Sequence, residues 1–93
     1  AGHAAKGMGA YAASKSGVAR LTEAIAEEYK DRGITCNAVL PSIIDTAANR
    51  QSMPDGDFTR WVDARALARV IVFLLSDDAS PVTGALLPVR GRT

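Results

Sequence analysis

An open α/β fold built on parallel strands, and incomplete within these 93 residues, is what the sequence predicts. Helical stretches alternate with short apolar strands in the order helix, strand, long loop, helix, strand. Two strands joined by a helix imply a right-handed parallel crossover, the repeating unit of an α/β sheet. Two parallel strands alone would leave both edges unpaired and their apolar faces uncovered, whereas parallel sheets normally carry helices on both faces of several buried strands. The chain therefore reads as the later part of a larger domain. No internal boundary, linker, repeat or low-complexity tract offers another explanation.

Residues 1 to 9 hold three glycines without apolar periodicity and are expected to form a loop. From Ala10 to Arg32 no proline intervenes, and Val18, Leu21, Ile25 and Tyr29 recur at spacings of three or four, which predicts an amphipathic helix with those residues on its buried side. Gly33 then supplies a left-handed stop. Ile34 to Leu40 is β-branched and apolar and predicts a strand ended by Pro41. Asn37 interrupts that strand, and once buried its amide needs partners.

Residues 42 to 62 mix polar and apolar groups around Pro54, Asp55 and Gly56, and are expected to form a long connection with one short helix at Ala47 to Ser52. Connections of this length are uncommon unless they have a task. A second helix is expected from Asp63, an N-cap, to Ser76, burying Leu67, Val70, Ile71, Leu74 and Leu75. Polar turns around Pro81 and Gly84 lead to a final strand at Ala85 to Val89.

The bulk numbers exclude several function classes. Eleven basic residues against ten acidic ones give a net charge of +1, which provides no field to gather nucleic acid or an anionic membrane. The longest apolar run, residues 70 to 75, is far short of the roughly 20 residues that span a bilayer, and the first ten residues lack the apolar core of a signal peptide. A cytoplasmic setting is the expectation. A single cysteine, Cys36, excludes an internal disulfide, and a single histidine, His3, argues against a metal site and is assigned to a surface loop.

The chemistry-bearing stretch is Ala10-Tyr11-Ala12-Ala13-Ser14-Lys15-Ser16, one phenol and one ammonium among very small residues. At a spacing of four they share a helical face one turn apart. A lysine ammonium there stabilises phenolate, which suits the tyrosine to give a proton to a carbonyl oxygen or take one from an alcohol. On spacing alone such a pair more often belongs to a surface helix, the ring covering apolar neighbours and the lysine reaching to water.

Tyr11-Ala-Ala-Ser-Lys15 followed by Asn37-Ala-Val-Leu-Pro41-Ser-Ile-Ile-Asp-Thr46 and by Phe73-Leu-Leu-Ser-Asp-Asp-Ala-Ser80 with Thr83-Gly84 resembles the C-terminal half of the short-chain dehydrogenase/reductase family. The resemblance covers residues 7 to 89. It implies that residues 1–93 are the C-terminal fragment of a single NAD(P)-binding domain, part of a Rossmann-like doubly wound parallel sheet. It implies an oxidoreductase interconverting an alcohol and a carbonyl compound, with NAD or NADP carrying the hydride. By the same resemblance Tyr11 exchanges the proton, and Lys15 holds the nicotinamide ribose and tunes Tyr11. Pro41, Ser42, Ile44 and Thr46 are implied to line the nicotinamide end of the cofactor. The family follows this proline with glycine, so Ser42 is a departure. Thr46 has a second reading as the cap of the short helix. Met53, Phe58 and Trp61 lie in what resembles the variable substrate-covering segment, where they either line a pocket or close over the core.

The resemblance also implies a glycine-rich phosphate loop, a serine and an asparagine, all of which fall before residue 1. The isolated chain is accordingly expected to be inactive, its parent a homo-oligomer acting on a small alcohol or carbonyl substrate. A truncated or degenerate interaction domain without catalysis is the alternative.

Overall fold

A computed structural model describes the backbone of residues 2–93 and the side chains from Gly9 onward. Its first element is a long helix, α1 (Gly2–Tyr29). The loop expected over residues 1 to 9 is thus corrected for all but Ala1, which lies outside the described residues, as does the side chain of His3. Each glycine costs a helix only about 1 kcal/mol, and the alanines and lysine between them are strong helix formers. Extending an existing helix by a turn needs no new nucleus.

The other end of α1 follows the sequence closely. A single 3₁₀ turn, Lys30–Arg32, tightens the last turn, and Gly33 at φ 71° donates its N–H to the Lys30 carbonyl. The buried face is the expected one only in part: Ile25 and Tyr29 are half-buried. Thr22 and Ala26 are buried, whereas Val18 is exposed and Leu21 is 62% exposed. Small side chains allow a close approach: an added Cβ at Gly84 would lie 3.6 Å from that of Ala26. Thr22 satisfies its hydroxyl by donating to the Val18 carbonyl at 2.7 Å.

Strand β1 (Ala38–Pro41) is shorter than the expected Ile34–Leu40 and includes the proline as its last residue. It pairs with β4 (Leu86–Val89). Ala38 donates to the Ala85 carbonyl and Ser42 to that of Val89, stepping four residues in the same direction along both segments, so the pair is parallel. Residues before Ala38 are held by irregular bonds in place of a ladder. The Cys36 N–H reaches Thr83 Oγ1 at 3.1 Å, Gly84 donates to the Cys36 carbonyl at 2.8 Å, and Asn37 Oδ1 accepts from Ala85 at 3.1 Å. The amide of Asn37 has thereby acquired the kind of partner its position demanded.

The connection expected over residues 42 to 62 contains a second parallel pair. Strand β2 (Ile44–Asp45) lies beside β3 (Val62–Asp63) in the register Ile44 to Val62 and Asp45 to Asp63. Two-residue strands carry no readable alternation, which is why the sequence hid them. Between them α2 (Ala47–Ser52) occupies the expected span, and a 3₁₀ turn covers Phe58–Arg60.

Helix α3 (Ala64–Leu74) starts as expected, with Asp63 Oδ2 accepting the Ala66 N–H at 2.9 Å. It ends earlier than Ser76. Leu67 is buried and Val70 and Leu74 are half-buried, a stripe at spacings of three and four. Ile71 is exposed, as are Val72 and Phe73, and Leu75 is 82% exposed, so two of the five residues expected inside face outward. An apolar stretch of this kind ordinarily packs between layers, and among the described residues only one side of α3 is covered.

Two compact units emerge, residues through Ala38 with Thr83–Leu86, and Val39–Val82 with Leu87–Thr93. The first buries Thr22 and Ala26, the second Trp61, Val62, Leu67 and Ala79. The architecture is α/β with short parallel strands and an incomplete sheet.

Candidate functional site

In the first unit, Tyr11 and Lys15 sit on α1 one turn apart. Tyr11 precedes Thr22, and Lys15 precedes Ala26, by eleven residues each, which is about three full turns or roughly 16 Å. Phenol and ammonium therefore stand on the face that α1 turns toward the interior lower down. They are not covered there: Tyr11 is 57% exposed and Lys15 is exposed. Ala12, Ala13, Ser14 and Ser16 around them are exposed too, and an added Cβ at Gly17 would meet nothing within 4 Å. The pair thus stands on a low-relief, open helical surface with one hydroxyl and a cation that has three donors.

In the second unit, Pro41 closes β1 and Ser42 follows it. No non-glycine residue described has a positive φ, so Ser42 occupies ordinary backbone and needs none of glycine's freedom. Its hydroxyl donates to the Arg90 carbonyl at 2.9 Å and lies 2.6 Å from Thr93 Oγ1. Ile44 is in β2, and its carbonyl accepts from Asn49 Nδ2 at 2.8 Å. Thr46 is the N-cap of α2, its hydroxyl accepting the Asn49 N–H at 3.1 Å. Asn49 therefore bonds both flanks of the β2–α2 corner, a role sequence reasoning missed. A neutral amide in a short polar helix carries no signal until its two partners are placed.

The substrate-covering candidates divide. Met53 ends α2 and is partly exposed. Phe58 meets Trp61 edge-on with centroids 4.8 Å apart, and the Arg50 guanidinium lies 4.5 Å from the Phe58 centroid. Trp61 is only 8% exposed, and an added Cβ at Gly56 would come within 2.6 Å of its ring. Trp61 is core in this fold.

Arg50 also grips Asp45 with two bonds, Nε to Oδ1 at 2.7 Å and Nη2 to Oδ2 at 2.9 Å. Its charge is thus committed locally. That hydrogen bonding holds the Asp45 carboxyl below its ordinary value of 3.8, and Asp45 in turn raises Arg50. A depressed carboxyl contributes stability that is full above the unfolded value and is lost as pH falls through the folded one. We expect a carboxyl titration by NMR to place the Asp45 midpoint below the ordinary carboxylate value, and Arg50→Gln to raise it.

Residues 1–91 match the family model described as enoyl-(acyl carrier protein) reductase. The chain belongs to the short-chain dehydrogenase/reductase family. This short-chain dehydrogenase/reductase chain is 41% identical over 90 residues to 3-oxoacyl-[acyl-carrier-protein] reductase of Pseudomonas aeruginosa, covering 87% of itself and 36% of that protein. Among solved structures, it matches 4-hydroxyisoleucine dehydrogenase complexed with NADH at a TM-score of 0.76 and 25% identity, covering 89% of this chain and 38% of the other. A blue fluorescent protein from a metagenomic library, in complex with NADPH, matches at a TM-score of 0.73 and 36% identity, with 87% and 36% covered. The chain spans little more than a third of the length of these relatives. The fold expectation, a portion of a Rossmann-type parallel α/β sheet, agrees with both structures.

No helix among the described residues is long and apolar enough to cross a membrane.

Proposed function

We propose that these residues form the proton-transfer and nicotinamide-side portion of an NAD(P)-dependent oxidoreductase that interconverts an alcohol and a carbonyl compound. The observation that carries the reading is the Tyr11–Lys15 pair, exposed together on one face of α1 amid side chains too small to block a ligand. Relatives complexed with NADH and NADPH support the cofactor class. When bound, the nicotinamide supplies or accepts the hydride.

The residues of the chain do the rest. Tyr11 Oη gives its proton to the carbonyl oxygen in reduction and takes it back from the hydroxyl in oxidation. Lys15 Nζ donates to the ribose diol, its charge standing one turn from the phenol. Pro41, Ser42, Ile44 and Thr46 lie at the nicotinamide end, with Ile44 fixed by Asn49. Met53 and Phe58 border the substrate, while Trp61 supports Phe58 from beneath.

In this reading the 93 residues are the C-terminal part of a cytoplasmic homo-oligomeric enzyme and have no turnover alone. Calorimetric titration of the chain with NADH and NADPH is expected to show no affinity below the millimolar range. Adding the parent's N-terminal segment is expected to restore both binding and turnover. Sub-millimolar binding by the chain alone would remove the division of labour proposed.

A second reading, an interaction domain without catalysis, is favoured by the exposed Val72, Phe73 and Leu75 on and just after α3. It is distinguished by the same completion experiment, since such a domain gains no turnover.

A further inference from the structure

The hydroxyl of Ser42, the segment Arg90–Thr93 and the turn Phe58–Arg60 form one hydrogen-bonded chain within the second unit. At one end Ser42 Oγ donates to the Arg90 carbonyl at 2.9 Å, Thr93 Oγ1 donates to the same carbonyl at 2.7 Å, and the two hydroxyl oxygens are 2.6 Å apart. Two hydroxyl protons serve these three contacts, so two are made at a time and the triangle is closed whichever pair forms.

At the other end the Arg92 N–H donates to the Arg60 carbonyl, and Arg92 Nη2 to that of Thr59, both at 3.0 Å. Those two carbonyls belong to the C-terminal part of a 3₁₀ turn, where acceptors have no partner within the turn itself. Gly91 sits between the two anchor points at φ 60°, and an added Cβ would lie 2.8 Å from the Arg60 carbonyl oxygen. The segment thus runs backbone against backbone along the turn.

We infer that Arg90–Thr93 is a strap, fastened by Ser42 and Arg92, that fixes the Phe58–Trp61 turn relative to the end of β1. Ser42 and Arg92 are its positioning residues. A three-residue 3₁₀ turn has little stability of its own, and apart from the strap the bond from the Val62 N–H to the Ile43 carbonyl holds the chain two residues past the turn beside the residue that precedes β2. The strap adds a second tie, at the turn's own carbonyls of Thr59 and Arg60. In the strap Ser42 does what an isolated glycine at that position has no atom to do. That the turn borders substrate rests on the function proposed above; the coupling of Ser42 to the turn does not.

Hydrogen exchange on the chain as it stands tests the coupling without any cofactor, so its failure is distinct from failure of the proposed function. Ser42→Ala is expected to reduce protection at the amides of Arg60, Trp61 and Val62 about five- to tenfold, with protection across Ala26 to Tyr29 of α1 unchanged. Ser42→Thr, which keeps the hydroxyl, is expected to retain the protection. Arg92→Met, which keeps the stem and the backbone N–H but loses the guanidinium bond to the Thr59 carbonyl, should reproduce part of the loss at Arg60 and Trp61. The inference is overturned if Ser42→Ala leaves those amides within twofold of the parent. It is equally overturned if Ser42→Thr behaves as Ser42→Ala, or if protection in α1 falls in parallel, which would mark a general loss of stability.

Discussion

Tyr11→Phe, in a chain completed on its N-terminal side, is expected to lower kcat by about 10² to 10⁴ while leaving KM for the cofactor within a few-fold. The substitution deletes one oxygen from a side chain that is 57% exposed, so the fold has almost nothing to lose. An effect confined to kcat is the signature of a group whose contribution appears in the transition state. Lys15→Met complements it. Removing the ammonium is expected to raise KM for the cofactor as well as lower kcat, because in the proposed arrangement Nζ holds the ribose one turn from the reacting phenol. Steady-state kinetics with NADH or NADPH in both directions separates the two. Equal kcat in the parent and in Tyr11→Phe would remove the phenol from the chemistry and leave the surface-helix reading of the pair.

The second large effect concerns stability. Trp61→Ala is expected to cost about 3 to 5 kcal/mol, the usual range for truncating a buried tryptophan, in a protein whose whole margin is of the order of 5 to 15 kcal/mol. The indole is buried, meets Phe58 edge-on at 4.8 Å and lies beneath the Gly56 turn. Gly56→Ala approaches the same contact from the other side. Its methyl would sit 2.6 Å from the ring and 3.2 Å from the Met53 carbonyl oxygen. Overpacking of that kind costs about 1 to 3 kcal/mol. Urea denaturation followed by circular dichroism, which does not depend on the lost fluorophore, measures both. A Trp61→Ala chain with an unchanged urea midpoint would mean that the indole faces a ligand instead of the core.

These two predictions mark a division in what could be read directly from residue order. The Tyr11–Lys15 pair was legible because a spacing of four fixes a shared helical face before any tertiary contact forms. Thr46 and Asp63 were legible as caps for a related reason, each bonding a backbone N–H three residues ahead. Gly33 needed only its own backbone angle. Trp61 remained open between pocket and core, since an aromatic residue in a long polar connection fits either. Its burial depends on Gly56 five residues earlier and on β2–β3, which has two residues a side. The chemistry of Asn49 was hidden likewise, because both of its partners are defined by the corner it holds.

The buried side of α1 shows the same division. Apolar periodicity selected Val18, Leu21, Ile25 and Tyr29; the last two are half-buried, while the helix buries Thr22 and Ala26, the latter opposite Gly84, where an added Cβ would lie 3.6 Å from its own. In α3 Leu67 faces inward, but Ile71 and Leu75 do not, since only one side of that helix is covered among the described residues.

Sequence by itself determined the alternation of helix and strand, the helix caps, the family pattern and the paired phenol and ammonium, all set by spacings of a few residues. The tertiary structure alone decided which helix face is covered, the short parallel pair β2–β3, the burial of Trp61 and the strap from Ser42 to Thr93. Those depend on groups far apart in the chain, 51 residues in the last case. Their energy exists only after the intervening chain has been closed into a loop, and residue order does not state which loop closes.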